Sequence, residues 1–207
     1  MNSKQVELKF GARSFPFADF LWGLERAQDE ADLAKEALLL GAQLAQSDFS
    51  SNDAVKFCES VCRWGRGERV FANLRRHHGT KLGNVLSDAL TIAMAATDDE
   101  TAIAALCAIK GLGVSFASKH LRMIHPQRFG VLDSRFQEKI GFAMNAAGYG
   151  LFMKNLREFH NEASKHAPTQ LTGMPIGMIE NGLFFLVQPK AIAQMERERT
   201  KFVSANR

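Results

Sequence analysis

The sequence predicts a mainly α fold, and three observations carry that prediction. Apolar residues recur at helical spacing, as in Ala54, Cys58, Val61 and Cys62 at i, i+4, i+7 and i+8. Helix-capping residues stand where such runs begin, at Asp53, at Thr97 with Glu100 three residues on, and at Asp133. Strict alternation, the mark of a strand, is confined to Val6, Leu8 and Phe10.

The elements follow in order. Val6–Phe10 predicts a short extended piece, and Phe17–Arg26 and Asp29–Gln46 predict helices, the second rich in Ala, Leu and Glu. After the polar break Ser47–Asn52, a helix starts at Asp53 and ends at Trp64-Gly65. Helices over Glu68–His77 and, past the turn at Gly79, over Leu82–Ala95 come next. The capping-box spacing of Thr97 and Glu100 predicts a helix from Asp98 to Ile109. Gly111 and Gly113 bracket a tight turn, and a helix runs from Val114 to Ile124 until Pro126 forces an exit. Asp133 caps a helix reaching Ala143, and Leu151–His166 is helical. Gln170–Gly182, with Pro175 and several glycines, reads as a loop; Leu183–Val187 is an apolar run of open type; Pro189 suits the first turn of a last helix.

The 207 residues can bury a good core, and length alone permits one domain or two closely packed halves. Hydrophobic content of 46% and charged content of 23% are ordinary for a soluble globular protein. The net charge of +4 fits a polyanionic partner, and fits proteins without one equally well. Its placement says more. Lys56, Arg63, Arg66, Arg69, Arg75, Arg76 and Lys81 form one basic segment and Lys110, Lys119, Arg122, Arg128, Arg135 and Lys139 another, whereas Glu25, Asp29, Glu30, Asp32 and Glu36 are acidic. The cysteines, Cys58, Cys62 and Cys107, have no disulfide-framework spacing. MNSKQVELKF has no apolar leader region, and no run approaches the length of a membrane span, so an intracellular location away from the membrane is expected.

The stretch around the hairpin is the most informative. A helix that opens after a sharp glycine turn presents unpaired N–H groups to an anion, and Lys110 adds charge there. On that helix Val114, Ala117, Leu121 and Ile124 form a core stripe, while Ser115, Lys119 and Arg122 form a polar, basic one. Asp133 stands twenty residues past Gly113 at the mouth of the next helix. The dipole and amides of a helix N-terminus stabilise a carboxylate as the anion, which suits support of a developing cation rather than acid catalysis.

Ile109-Lys110-Gly111-Leu112-Gly113 followed by Val131-Leu132-Asp133 resembles the helix-hairpin-helix-GPD superfamily of DNA glycosylases, over roughly forty residues. Phe57–Arg69, FCESVCRWGRGER, is further similar to a bacterial 8-oxoguanine-glycosylase-like branch. The resemblance implies a two-lobed helical unit with a cleft between the lobes: residues 53–145 with the motif at 109–124, and a packing lobe from 1–52 and 146–207. It implies double-stranded DNA as partner, held by Lys110, Gly111, Leu112, Gly113, Ser115, Arg122 and Arg135, with one base flipped into a pocket walled by Trp64 and Phe136. Asp133 then stabilises the cationic sugar as the base leaves. An oxidised purine is the favoured base, and a cytoplasmic, nucleoid-associated monomer without cofactor is the implied setting.

Two departures qualify the match. Bifunctional relatives carry a lysine two residues after the second hairpin glycine, where this chain has Ser115, so a monofunctional hydrolase is implied. Lys119 lies one helical turn further on the same face and offers a displaced amine for a Schiff base. The four-cysteine iron–sulfur loop of some relatives is absent, since no cysteine follows Cys107.

Plainer readings stand beside these. Asp133 by itself is an N-cap, and Lys119 by itself a phosphate contact or a solvated side chain. Cys58 and Cys62 share an apolar face with no His or acidic partner in view, which reads as packing and no metal. His120 and His125 read as surface or phosphate-contacting imidazoles, and Phe116 and Phe129 as further pocket-wall candidates among sixteen phenylalanines. The rival functions are a non-catalytic helix-hairpin-helix DNA-binding module and a protein-interaction domain.

Overall fold

A computed structural model describes residues 6–27, 32–188, 193–194 and 197. The alternating start forms a two-stranded antiparallel ribbon, β1 (Glu7–Phe10) and β2 (Arg13–Pro16), in which Leu8 pairs with Phe15. All other regular structure among the described residues is helical.

Helices α1 (Phe17–Ala27), α2 (Asp32–Gln46), α3 (Ser51–Trp64), α4 (Glu68–His78) and α5 (Leu82–Ala95, entered through a 3-10 turn at Gly79–Lys81) fall where periodicity puts them, except that Ser50, accepting from Asp53 N, caps α3 and starts it before Asp53. The 29–31 part of the second predicted helix and the first turn of the helix expected at Pro189 lie outside the described residues. Helix α6 (Asp99–Cys107) is capped by Asp98, whose carboxylate accepts from Thr101 N at 2.7 Å and Oγ1 at 2.9 Å. The Thr97–Glu100 capping box is therefore displaced by one residue. Helix α7 (Val114–Ile124) follows the hairpin, where Gly111 has φ +100°.

Helix α8 (Ser134–Ile140) is shorter than expected because Gly141, at φ +98°, takes the left-handed C-terminal position and donates to Phe136 O and Gln137 O. Asn145 starts α9 (Ala146–His166) earlier than Leu151 by accepting from Gly148 N.

The loop expected over Gln170–Gly182 is instead largely helix: α10 (Pro168–Leu171) and α11 (Ile176–Leu186), with the apolar run completing α11. Its glycines are contact points, not breaks. A Cβ on Gly23 of α1 would lie 2.7 Å from Gly182 O, so the α1–α11 crossing requires the α1 backbone to be bare there. Gly177 N donates to Pro126 O at 2.9 Å, hooking α11 onto the loop that leads to Asp133.

Packing joins α2 to α3 and α7, and α6 to α5, α7 and α9; α11 packs on α1 and α9. Behind α8 an aromatic cluster fills the core, with Phe10 and Phe136 centred 5.8 Å apart and Phe20 and Phe159 4.8 Å apart.

Candidate functional site

The end of α3, the face of α7, the segment before α8 and one face of α11 meet around a pocket of about 400 Å³, a size typical of ligand sites. It is lined by Trp64, Gly65, Arg66, Lys119, Val131, Asp133, Glu180, Asn181, Phe184 and Gln188. Asp133, Lys119 and Trp64, singled out from sequence, are therefore brought together.

Each side chain has a local cause. Asp133 has extended backbone at the N-cap of α8, and its Oδ1 accepts from Arg135 N at 2.9 Å and Phe136 N at 3.3 Å. Cap and pocket roles coexist because capping occupies one face of the carboxylate. Lys119 turns back along α7, donating to Ser115 Oγ at 3.1 Å, with its amine 5.0 Å from the Phe116 ring centre. Burial pushes its ammonium below the usual lysine range, against the opposing pull of Asp133 first, then Glu180 and Cys62.

The Gly65-Arg66-Gly67 loop makes room for this. A Cβ at Gly65 would lie 2.8 Å from Phe116 and 2.9 Å from Lys119 Cδ, and one at Gly67 would overlap the Phe116 ring. Arg66, at φ +55°, is exposed at the pocket rim.

Glu180 is 2% exposed, and burial raises its carboxyl to about 7 despite Arg122 and the hydrogen bond from the Val131 amide. Arg122 faces it at 3.7 Å and lies 5.5 Å from the Trp64 ring. The expectation that Arg122 contacts DNA is therefore corrected. It is 1% exposed, because α7 is covered by α11 as well as by α3, and it braces the pocket floor. Phe136 is likewise corrected: it is fully buried between Phe10, Phe152 and Phe184, and Phe184 takes the pocket wall instead. Phe129 is core, and Phe116 is half-buried beneath the glycine loop.

The hairpin residues Lys110, Gly111 and Gly113 are exposed, Ser115 is half-buried, and Arg135 is exposed beside Glu138. Leu112 buries its side chain, leaving only its main chain for an external contact. Inside α7 the Phe116 and Ala117 amides both bond to Gly113 O, so the amides before them face the open end. His78 Nε2 meets Lys110 O at 3.0 Å, bracing the turn against the basic end of α4. The His77 ring is held below the usual histidine range by desolvation and by the positive charges of Lys110, Arg76 and His78.

His120 is no surface imidazole. It is fully buried, and its Nδ1 lies 2.6 Å from Phe116 O. The view that Cys58 and Cys62 lack a histidine partner is corrected with it, since their sulfurs and a His120 ring nitrogen lie within 4.8 Å of one another. His125 is exposed, as expected.

Glu180 and Asn181 escaped the sequence reading because Pro175 and the glycines suggested a loop, and Phe184 and Gln188 because the apolar run after it had no assigned type. The signal was present in the i, i+4, i+8 spacing of Glu180, Phe184 and Gln188. No known protein family, curated protein or solved structure matches the chain. No helix among the described residues is long and apolar enough to cross a membrane.

Proposed function

We propose that this chain is a DNA glycosylase that draws one base, an oxidised purine by preference, out of duplex DNA and cleaves its glycosidic bond. In this reading the pocket is the cleft of a two-lobed helix-hairpin-helix unit acting as a monomer on nucleoid DNA. The observation that carries it is the sharing of one pocket by the Lys119 amine and the Asp133 carboxylate, with α7 running from there to the exposed hairpin.

The hairpin amides and Lys110 hold a phosphate, and the basic end of α4 adds charge beside them. Phe184 and Trp64 offer faces for stacking, and Gln188 offers a donor and an acceptor to the base edge. The Lys119 amine in its unprotonated form attacks C1′. The electron pair of the C1′–N bond leaves with the base, which takes up the proton released by the newly bonded nitrogen. Positive charge on the sugar builds opposite Asp133, which stabilises it. The resulting aminosugar opens to a Schiff base. The desolvated amine reaching Ser115 supports this over the water-only route implied by Ser115 at the usual lysine position.

The test is borohydride trapping on duplexes that each carry one modified base, with the freed base measured by mass spectrometry. An adduct mapped to Lys119 is expected. Base release without an adduct assigns the attack to water. Duplex binding with neither release nor adduct across the panel leaves the DNA-binding module.

A further inference from the structure

Behind the pocket wall lies a group of side chains that base excision does not use. Cys58 and Cys62 stand one turn apart on α3, and His120 faces them from α7; all three are fully buried. Their two sulfurs and one ring nitrogen lie within 4.8 Å of one another. Three atoms so placed share a centre within about 2.8 Å of each, which bond lengths of about 2.0–2.3 Å reach with sub-ångström closure.

The histidine points to a ligand independently of the thiols. Its Nδ1 lies 2.6 Å from Phe116 O, a carbonyl that can only accept, so Nδ1 carries the proton. Nε2 is then a bare lone pair, buried and without a hydrogen-bond partner. A buried acceptor left unsatisfied calls for an explanation. A carbonyl holding the far nitrogen is also the usual support for a metal-bound imidazole.

We propose that Cys58, Cys62 and His120 bind one zinc ion, with a water molecule as its fourth ligand. Two thiolates and a neutral imidazole cancel the charge of Zn²⁺, so the filled site is neutral, as a buried position among Phe57, Ala54 and Val61 requires. Softer sulfur ligands favour zinc over magnesium or calcium. Binding releases the two thiol protons to solvent and changes no oxidation state. The ion staples α3 to α7 close to the pocket residues Trp64, two positions after Cys62, and Lys119, one before His120.

The test uses the full chain, stripped with a chelator and titrated with Co²⁺ and then Zn²⁺. One Co²⁺ per chain is expected, with an intense sulfur-to-cobalt band in the near ultraviolet and tetrahedral bands in the visible that Zn²⁺ abolishes. Zinc at a hundredfold excess over its Kd raises the melting midpoint by about 5–10 °C. Cys62→Ala loses these responses and Cys107→Ala keeps them. Because Cys62→Ala opens a cavity in the core, alkylation of the wild-type chain in mild denaturant supplies a second reading: zinc must shield Cys58 and Cys62 and leave Cys107 reactive. Absence of the cobalt bands, or equal shielding of the three cysteines, overturns the proposal.

Discussion

Lys119 folds back along α7 until its Nζ stands 3.1 Å from Ser115 Oγ. Two positions one helical turn apart thus deliver their functional atoms to one place. In the bifunctional members of the superfamily that this stretch resembles, a lysine stands at the position of Ser115, and in the proposed reaction the amine arrives there from the next turn. The account therefore predicts that Ser115→Lys combined with Lys119→Ser retains the borohydride adduct, now mapped to position 115. Ser115→Ala, which removes one hydrogen bond worth about 1 kcal/mol, slows base release by no more than about tenfold. Loss of the adduct in the exchanged variant with the fold intact counts against delivery to a shared point.

Glu180 makes stability depend on pH. Its folded carboxyl sits at about 7, above the 4.5 of an ordinary glutamate, so the folded chain binds more protons than the unfolded one between those values. Stability falls as pH rises through that window. Measured as wild type minus Glu180→Gln in urea unfolding, the difference should drop by about 3 kcal/mol from pH 4.5 to 7.5 and then level off. A pH-independent difference contradicts the burial account.

Gly67 lies against Phe116 so tightly that a Cβ would overlap the ring. Gly67→Ala should lower unfolding stability by about 1–3 kcal/mol. Phe116→Leu in the same chain should recover much of that loss. Denaturant midpoints decide it, and an unaltered single variant would mean the loop moves aside freely.

Gly113 presents the opposite case. Nothing lies within 4 Å of a Cβ built there, and its φ of −89° suits any residue. Gly113→Val should keep the fold, losing about 1 kcal/mol of N-cap preference. It should weaken duplex binding about tenfold or more, because the branched side chain covers the amides that meet phosphate. Fluorescence anisotropy with labelled duplex checks this; normal affinity removes the hairpin from the interface.

Much of the fold was legible because most helices carry their own signals. Ala54, Cys58, Val61 and Cys62 mark the buried face of α3, and Gly111, Gly113 and Asp133 mark the turn and the cap. What misled was local chemistry overridden by packing. Gly177 and Gly182 read as breaks, yet they are where α11 meets Arg122 and α1. Arg122 follows the polar stripe of α7, and only the arrival of Glu180 from α11 explains its burial. The partner of Cys58 and Cys62 lies on another helix, 58 residues beyond Cys62, a juxtaposition no spacing rule contains. Asp133 and Lys119 were visible as residues, whereas the pocket they share exists only once α11 closes over them.

The most direct measurement is single-turnover base release from a duplex carrying one 8-oxoguanine, comparing the wild-type chain with Asp133→Asn and recording duplex affinity for both. The account predicts release by the wild type and a loss of about a hundredfold or more in the variant, or about 3 kcal/mol of transition-state stabilisation, with affinity unchanged. Equal release by the two proteins would contradict it, as would no release from this or any other modified base by a wild-type chain that binds the duplex.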